Sequence, residues 1–216
     1  MKTLECHWWF RMPMIVGLLI GLAGFGTGCA SGPDESESKL DYFDGGALQD
    51  PEPMTLVMTG RVLKSQGRLN ESEYILRRVI VEYPEFVPGY TELSELLLKD
   101  GRTGEAIVVL EQGISEQPGN AMLHNDLGMC KLVARDFKDA RSEFARARDL
   151  DPVEATYTAN LAMVNGLLGN YDLAVELYLQ VLPVSDAHTN VARLAEAQGD
   201  MERARSDLAI AARMSE

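Results

Sequence analysis

Beyond residue 53, a proline recurs at a fixed interval, and this interval constrains the fold more than any other feature of the sequence. Pro84, Pro118 and Pro152 are equally spaced, and each follows an apolar stretch of helical character. Proline cannot continue a helix interior, because it lacks a backbone N–H and its ring clashes with the preceding turn. The interval therefore predicts similar units, each separated from the next by a proline.

Three columns of side chains keep the same phase as the prolines. Small residues form two of them, at Ser72, Ala106, Ala140, Ala174 and Ala204, and at Gly60, Ser94, Gly128, Ala162 and Ala192. Large apolar residues form the third, at Leu76, Leu110, Phe144, Tyr178 and Leu208. Because interiors are close-packed, two antiparallel helices approach closely where facing side chains are small, and a large neighbour fills the remaining space. The columns predict five helix pairs, at 53–86, 87–120, 121–154, 155–184 and 185–216.

These units resemble the tetratricopeptide repeat, a helical pair with a period of about 34 residues, which is also the spacing of the prolines. The resemblance implies an all-α fold over residues 54–216, a right-handed α-solenoid of about five helix pairs and ten helices. The fourth unit departs from the period, since Ala204 follows Ala174 too soon and Pro183 interrupts the second helix early. Repeats of this family bind other proteins or peptides, so the resemblance implies an interaction scaffold.

Residues 1–28 have the three zones of a secretory signal peptide: early basic residues, an apolar stretch from 12 to 25, and small residues before Cys29. Small residues followed by cysteine resemble the lipobox of bacterial lipoproteins, although Gly26 stands where that motif usually has leucine. The resemblance implies an acylated Cys29, and Ala30 after it implies the outer membrane, facing the periplasm. An uncleaved anchor helix, or cleavage by the general signal peptidase beside a free thiol, are the alternatives.

Residues 29–53 are predicted to form the lipidated cysteine and a flexible acidic tether. Residues 30–53 contain seven acidic residues and one lysine, and no helical or alternating period persists among them. Such a composition buries too little apolar surface to offset the entropy of ordering. The segment therefore separates the predicted anchor from the folded repeats.

Composition and motifs argue against several classes of function. The chain carries a net charge of −13, whereas nucleic-acid binding normally needs a basic patch, so nucleic acid is not an expected partner. No catalytic constellation or phosphate-binding loop is present, so we expect no enzyme, no cofactor and no small-molecule substrate. His124 and His188 lie far apart in the sequence, without ligand spacing, so no metal is expected. Cys130 is expected to be a buried structural thiol.

In the repeat family, the first helix of each pair lines the inner, concave wall of the solenoid. The side chains that packing does not claim on these helices are the predicted protein-binding residues: Arg61, Lys64, Glu92, Glu95, Asn125, Asp126, Met129, Asn160, Met163, Asn190 and Arg193. Asparagine is a poor choice inside a helix, which favours a binding role for it, and methionine adapts to varied partners. The alternative is that these residues are only solvated side chains on an inner face.

Residues 160–200 carry a narrower resemblance. The early Leu-Pro stop, the short linker and the Asn-x-Ala-x-Leu continuation are similar to the TadD repeat lipoproteins of tight-adherence (Flp) pilus assembly. Related repeat lipoproteins pilot type IV pilus secretins, so the resemblance implies a role in assembling or placing an outer-membrane secretin of a pilus or secretion system. A general envelope adaptor that recruits peptidoglycan enzymes or proteases is the alternative, and neighbouring genes would separate the two.

Overall fold

The computed structural model describes residues 51–214. The predicted signal peptide over 1–28, Cys29 and the predicted tether up to residue 50 lie outside the described residues. A membrane-spanning helix needs about 20 apolar residues, and none of the helices within 51–214 meets that requirement.

Residues 51–214 form ten α-helices and no strand, arranged as five antiparallel pairs. The first helices of the pairs are α1 (Pro53–Ser65), α3 (Val87–Lys99), α5 (Ala121–Val133), α7 (Ala155–Leu167) and α9 (Val184–Ala197). The second helices are α2 (Leu69–Glu82), α4 (Thr103–Glu116), α6 (Phe137–Leu150), α8 (Tyr171–Tyr178) and α10 (Met201–Arg213). Each helix packs against the next along the chain. The predicted all-α array of helix pairs is confirmed.

Each pair reverses direction at a residue in the left-handed conformation. Glycine takes this position in four pairs, with φ values from 76° at Gly67 to 85° at Gly199, because a side chain is strained there. In the third pair Arg135 takes it, with φ of 64°, and its guanidinium lies 5.8 Å from the centre of the Phe137 ring. The turn geometry is therefore kept even where the sequence has no glycine.

The small columns lie where the paired helices touch. Ser72, Ala106, Ala140 and Ala174 are completely buried, and a Cβ atom added to Gly128 would lie 2.7 Å from the Phe144 ring. Such a distance leaves no room for a side chain. The two helices of the third pair therefore touch through the glycine itself.

One member of the large apolar column differs from the others in its burial. Leu76, Leu110, Phe144 and Tyr178 are buried, but Leu208 is 48% exposed. Leu76 and Phe144 lie against the first helices of their own pairs, at Gly60 and Gly128. Residues 51–214 contain no pair after α10 that could cover Leu208.

The fourth pair is shortened at its second helix. Helix α8 ends at Tyr178 after 8 residues, and the chain continues through a turn in which Leu182 N–H donates to the Tyr178 carbonyl at 2.7 Å. Pro183 then caps the start of α9. The interruption that Pro183 predicted is therefore present, and α9 begins earlier than the repeat period would place it.

Candidate functional site

The predicted protein-binding residues all lie on the first helices, which pack side by side. Helix α1 contacts α3, α3 contacts α5, and α7 contacts α9. Residues one period apart in the sequence are thereby brought onto neighbouring helices. That they bind a partner stays a prediction.

The charged residues of α1 and α3 neutralise one another. Arg61 Nε donates to Glu92 Oε1 at 2.7 Å, and Lys64 Nζ lies 3.0 Å from both Glu92 Oε2 and Glu95 Oε2. Although burial opposes its charge, hydrogen bonds to Glu95 and Glu92 raise the pKa of Lys64. Burial likewise opposes the charge of Glu95, but hydrogen bonds from Lys99 and Lys64 lower its pKa. Two cations and two anions among the predicted binding residues therefore stabilise the α1–α3 contact.

Asp126 on α5 is different, because no cation pairs with it among residues 51–214. Its only side-chain hydrogen bond in that range comes from Asn125 Nδ2, at 3.3 Å. Burial raises the pKa of Asp126 to about 6, and the negative charge of Glu95 adds to the rise. Burying a charge is unfavourable unless it is paired and hydrogen-bonded. Asp126 is therefore a half-buried acid that the described chain leaves without an ionic partner.

Two of the three predicted asparagines are hydrogen-bonded to each other across the first helices. Asn160 Nδ2 on α7 donates to Asn125 Oδ1 on α5 at 2.8 Å. Asn190 on α9 is half-buried, and its side chain has no hydrogen-bond partner within residues 51–214. The structure thus joins Asn125, Asp126 and Asn160 in one polar cluster, while Asn190 lies on α9, which packs against α7.

The remaining predicted residues have simpler surroundings. Met129 and Met163 are partly buried and pack against the hydrophobic cluster of the third to fifth pairs. Less of their surface is therefore available to a partner than the sequence indicated. Arg193 is exposed and forms no ion pair in the described part of the chain.

Sequence reasoning missed two histidine–carboxylate pairs. His124 Nδ1 lies 2.7 Å from Glu143 Oε2, and His188 Nδ1 lies 2.6 Å from Asp207 Oδ1. Each carboxylate belongs to the facing helix of the same pair, and both follow their histidine at the same offset in sequence. This shared spacing was the available signal. Asp207 also accepts from Arg203 Nε at 2.6 Å, so the pairs join first to second helices in the third and fifth units.

No metal or thiol chemistry is visible in the described region. Within residues 51–214 no three His, Cys, Asp or Glu side chains are grouped as metal ligands would be. Cys130 is buried, as predicted, and burial raises the pKa of its thiol to about 12. A thiol with so high a pKa is scarcely ionised at neutral pH and is therefore a poor nucleophile.

Comparison with known proteins agrees with the fold. Residues 97–164 match the tetratricopeptide repeat family. Among solved structures, a crystal structure of MamA is 21% identical, with 74% of this chain and 90% of that chain covered and a TM-score of 0.60. No curated protein sequence matches the chain.

Two further solved structures are similar. One is pilF of Pseudomonas aeruginosa, 16% identical, with 74% of this chain and 75% of that chain covered and a TM-score of 0.58. The other is YrrB, described as a TPR protein with an unusual peptide-binding site, 17% identical, with 76% and 86% covered and a TM-score of 0.58. At these identities the likeness shows the fold alone, which is a solenoid of the tetratricopeptide repeat type.

Proposed function

We propose that this chain is a non-catalytic scaffold whose first helices bind an extended segment of another protein. The repeat fold favours protein–protein interaction, and the cluster of Asn125, Asp126 and Asn160 carries the proposal. Buried polar groups are normally satisfied, yet Asp126 has one weak hydrogen bond and no cation among residues 51–214. A partner that supplies donors at this cluster would satisfy it.

The cluster indicates the chemistry of the segment. An extended peptide has backbone N–H and C=O groups available, which the amides of Asn160 and Asn190 pair with. A lysine or arginine side chain of the partner would pair with Asp126, and a charge-assisted hydrogen bond of this kind is stronger than a neutral one. The α1–α3 ion pairs are already matched, so we place the contact on α5, α7 and α9.

Within the bacterial envelope, we propose that the partner belongs to a pilus or secretion system, with an outer-membrane secretin as the candidate. The resemblance of residues 160–200 to TadD repeat lipoproteins supports this assignment, and the fold shared with pilF is compatible with it. The lipobox-like sequence at Cys29 supports attachment to the outer membrane, on its periplasmic side.

Changing Asn160 and Asn190 together to alanine is expected to weaken partner capture about ten- to thirtyfold. Each lost hydrogen bond is worth about 1 kcal/mol, and alanine is the better helix former, so the fold should persist. Asn125 is kept because its amide is the donor to Asp126. The measurement is the amount of secretin recovered with the affinity-tagged chain from envelope extracts, with secretin multimers followed in parallel.

Asn70→Ala is the matched control, since Asn70 is an exposed asparagine of the second helix α2. It should recover as much secretin as the parent. Equal recovery by the double variant would place binding elsewhere on the chain. Recovery of a cell-wall hydrolase instead of secretin, lost in the double variant, would support the adaptor alternative.

Replacement of Cys29 by serine tests the proposed anchor. A serine has no sulfur to form the thioether that attaches a diacylglyceryl group, so we expect the variant to be released into the soluble fraction or to persist as the unprocessed precursor. Cys130→Ala is the control, because that thiol is buried in the repeats, and the control should stay with the membrane. Fractionation followed by immunoblotting measures both. Membrane retention of a processed serine variant would contradict acylation at Cys29.

A further inference from the structure

A second candidate binding surface lies at the junction of the third and fourth pairs, away from the first-helix cluster. A groove of about 320 Å³ is lined there by Arg141 and Arg148 of α6, Leu161 and Asn165 of α7, and Leu173 and Leu177 of α8. We call it the outer groove. Leu161 and Asn165 are buried and form the floor. One wall carries arginine and the other carries leucine.

The two cations of the outer groove differ in their pairing within the described chain. Arg141 forms no ion pair within residues 51–214, and Arg148 pairs with its own neighbour Asp149, at 2.9 Å. None of the described carboxylates lines the groove, although the chain carries a net charge of −13. The groove lining of this acidic protein thus carries two arginines and no carboxylate, and within residues 51–214 Arg148 pairs only with its helix neighbour Asp149.

The preceding junction shows the contrast. One period earlier in the sequence, the equivalent positions carry charged residues: Lys131 corresponds to Asn165, Asp139 to Leu173 and Glu143 to Leu177. Lys131 Nζ lies 3.9 Å from Asp139 Oδ2 and 3.8 Å from Glu143 Oε1. The same place between the second and third pairs therefore holds charges that are matched internally. Only the later of these two junctions leaves its cations available.

Asn165 adds an unused acceptor to the floor of the outer groove. Its side chain is 2% exposed, and its Nδ2 donates to the Leu161 carbonyl at 2.8 Å. Its Oδ1 is buried without a donor among residues 51–214. Exchanging the two amide atoms would set an oxygen against the Leu161 carbonyl, so the orientation is fixed. The first and second pairs have Leu63 and Leu97 in this column, so packing does not require a polar residue here.

We propose that the outer groove binds an extended acidic peptide in which acidic and aliphatic residues alternate. Successive side chains of an extended strand point to opposite sides, so acidic side chains would face Arg141 and Arg148 while aliphatic ones face Leu173 and Leu177. A backbone N–H of the peptide would donate to Asn165 Oδ1 once the long arginine side chains move aside. A helical ligand fits less well, because its internal N–H groups are already bonded.

The spacing of the arginines suits this ligand. Arg148 lies two helical turns beyond Arg141 on α6, which corresponds to about 10.5 Å along the axis. Carboxylates two and four positions apart on an extended strand are separated by about 7 Å and about 13 Å. Flexible arginine side chains span the difference, so two carboxylates are held at once.

The test uses the full chain, purified in detergent, and the peptide Glu-Leu-Glu-Leu-Glu-amide with fluorescein attached to its N-terminal amine, with binding followed by fluorescence anisotropy. We expect saturable binding that weakens as salt is added. The double variant Arg141→Gln/Arg148→Gln is expected to bind at least tenfold more weakly. The control Arg146→Gln/Arg205→Gln removes the same charge from two exposed arginines outside the groove and should bind within twofold of the parent.

Asn165→Leu separates a binding role from a structural one. It restores the leucine of the first two pairs and removes the buried acceptor, so we expect a higher melting temperature together with about fivefold weaker peptide binding. The first-helix variant Asn160→Ala/Asn190→Ala should bind this peptide normally.

Three results would overturn the proposal. The first is an absence of saturable binding to the parent. The second is an equal loss in both arginine double variants. The third is binding of phosphatidylglycerol vesicles that needs Arg141 and Arg148 while the peptide does not bind, which would assign the groove to a lipid headgroup.

Discussion

Replacing Phe144 with alanine is expected to lower the free energy of unfolding by about 3–5 kcal/mol, the range typical of a buried phenylalanine. The Phe144 side chain is completely buried. Its ring lies so close to Gly128 that an added Cβ atom would approach it to 2.7 Å. Helices α5 and α6 are tied together through this contact, so they cannot easily close the cavity. Urea unfolding followed by circular dichroism measures the loss.

Leu208→Ala is the matched control for this prediction. Leu208 stands in the same column of the fifth pair but is 48% exposed, so its truncation should cost about 1 kcal/mol or less. A similar loss in both variants would show that the burial of the side chain does not decide the cost of removing it.

The exposure of Leu208 shows how far the repeat pattern predicts the fold. The repeat period predicts a buried large residue in each pair, and Leu76, Leu110 and Phe144 are completely buried. The period describes units in the middle of an array. Leu208 on α10 is exposed because the described residues include no following pair, and its residue type does not decide its burial. Arg135 is a similar case. The turn that it occupies is fixed by the helices around it and tolerates a residue other than glycine.

The candidate site was predicted in its location more than in its interactions. The period placed Asn125, Asp126 and Asn160 on neighbouring first helices, because residues one period apart occupy equivalent positions. It did not indicate that Arg61 and Lys64 form ion pairs with Glu92 and Glu95 of the next pair. Such pairing depends on side-chain reach between helices. A comparison of charges slightly less than one period apart would have indicated it.

The outer groove could not be predicted from the sequence. Asn165 looks ordinary in sequence, since asparagine occurs at many helix positions. Asn165 is recognised as unusual only when it is compared with Leu63 and Leu97 at the equivalent positions and when the burial of the Asn165 Oδ1 atom is known. Cavities and unpaired atoms are properties of packed surfaces, and a repeat pattern does not encode them.

Asp126→Asn is expected to stabilise the chain above pH 6 and to have little effect near pH 4. Burial raises the Asp126 pKa from 3.8 to about 6, so the folded state holds this proton more tightly than the unfolded state does. Stability is therefore lost as pH rises from about 4 to about 6 and stays lower above that. The full difference corresponds to about 3 kcal/mol, and because Asp126 is partly exposed we expect about 1–3 kcal/mol at pH 8.

The pH series distinguishes this electrostatic origin from a packing effect. The free energy of unfolding is measured at pH 4, 6 and 8 for the parent, Asp126→Asn and Glu111→Gln, the last replacing an exposed acid of α4. The gap between parent and Asp126→Asn should open with pH, whereas Glu111→Gln should stay within about 0.5 kcal/mol of the parent. A constant gap would mean that Asp126 is not titrating in this range.

A carboxylate that lowers the stability of its own fold needs a role that an amide cannot fill. If a basic side chain of the partner pairs with Asp126, the asparagine variant should recover less secretin while resisting urea better than the parent. A protein that loses binding because it unfolds would show the reverse of that second result. Greater stability with undiminished capture would remove Asp126 from the binding surface and leave Asn160 and Asn190 to act without it.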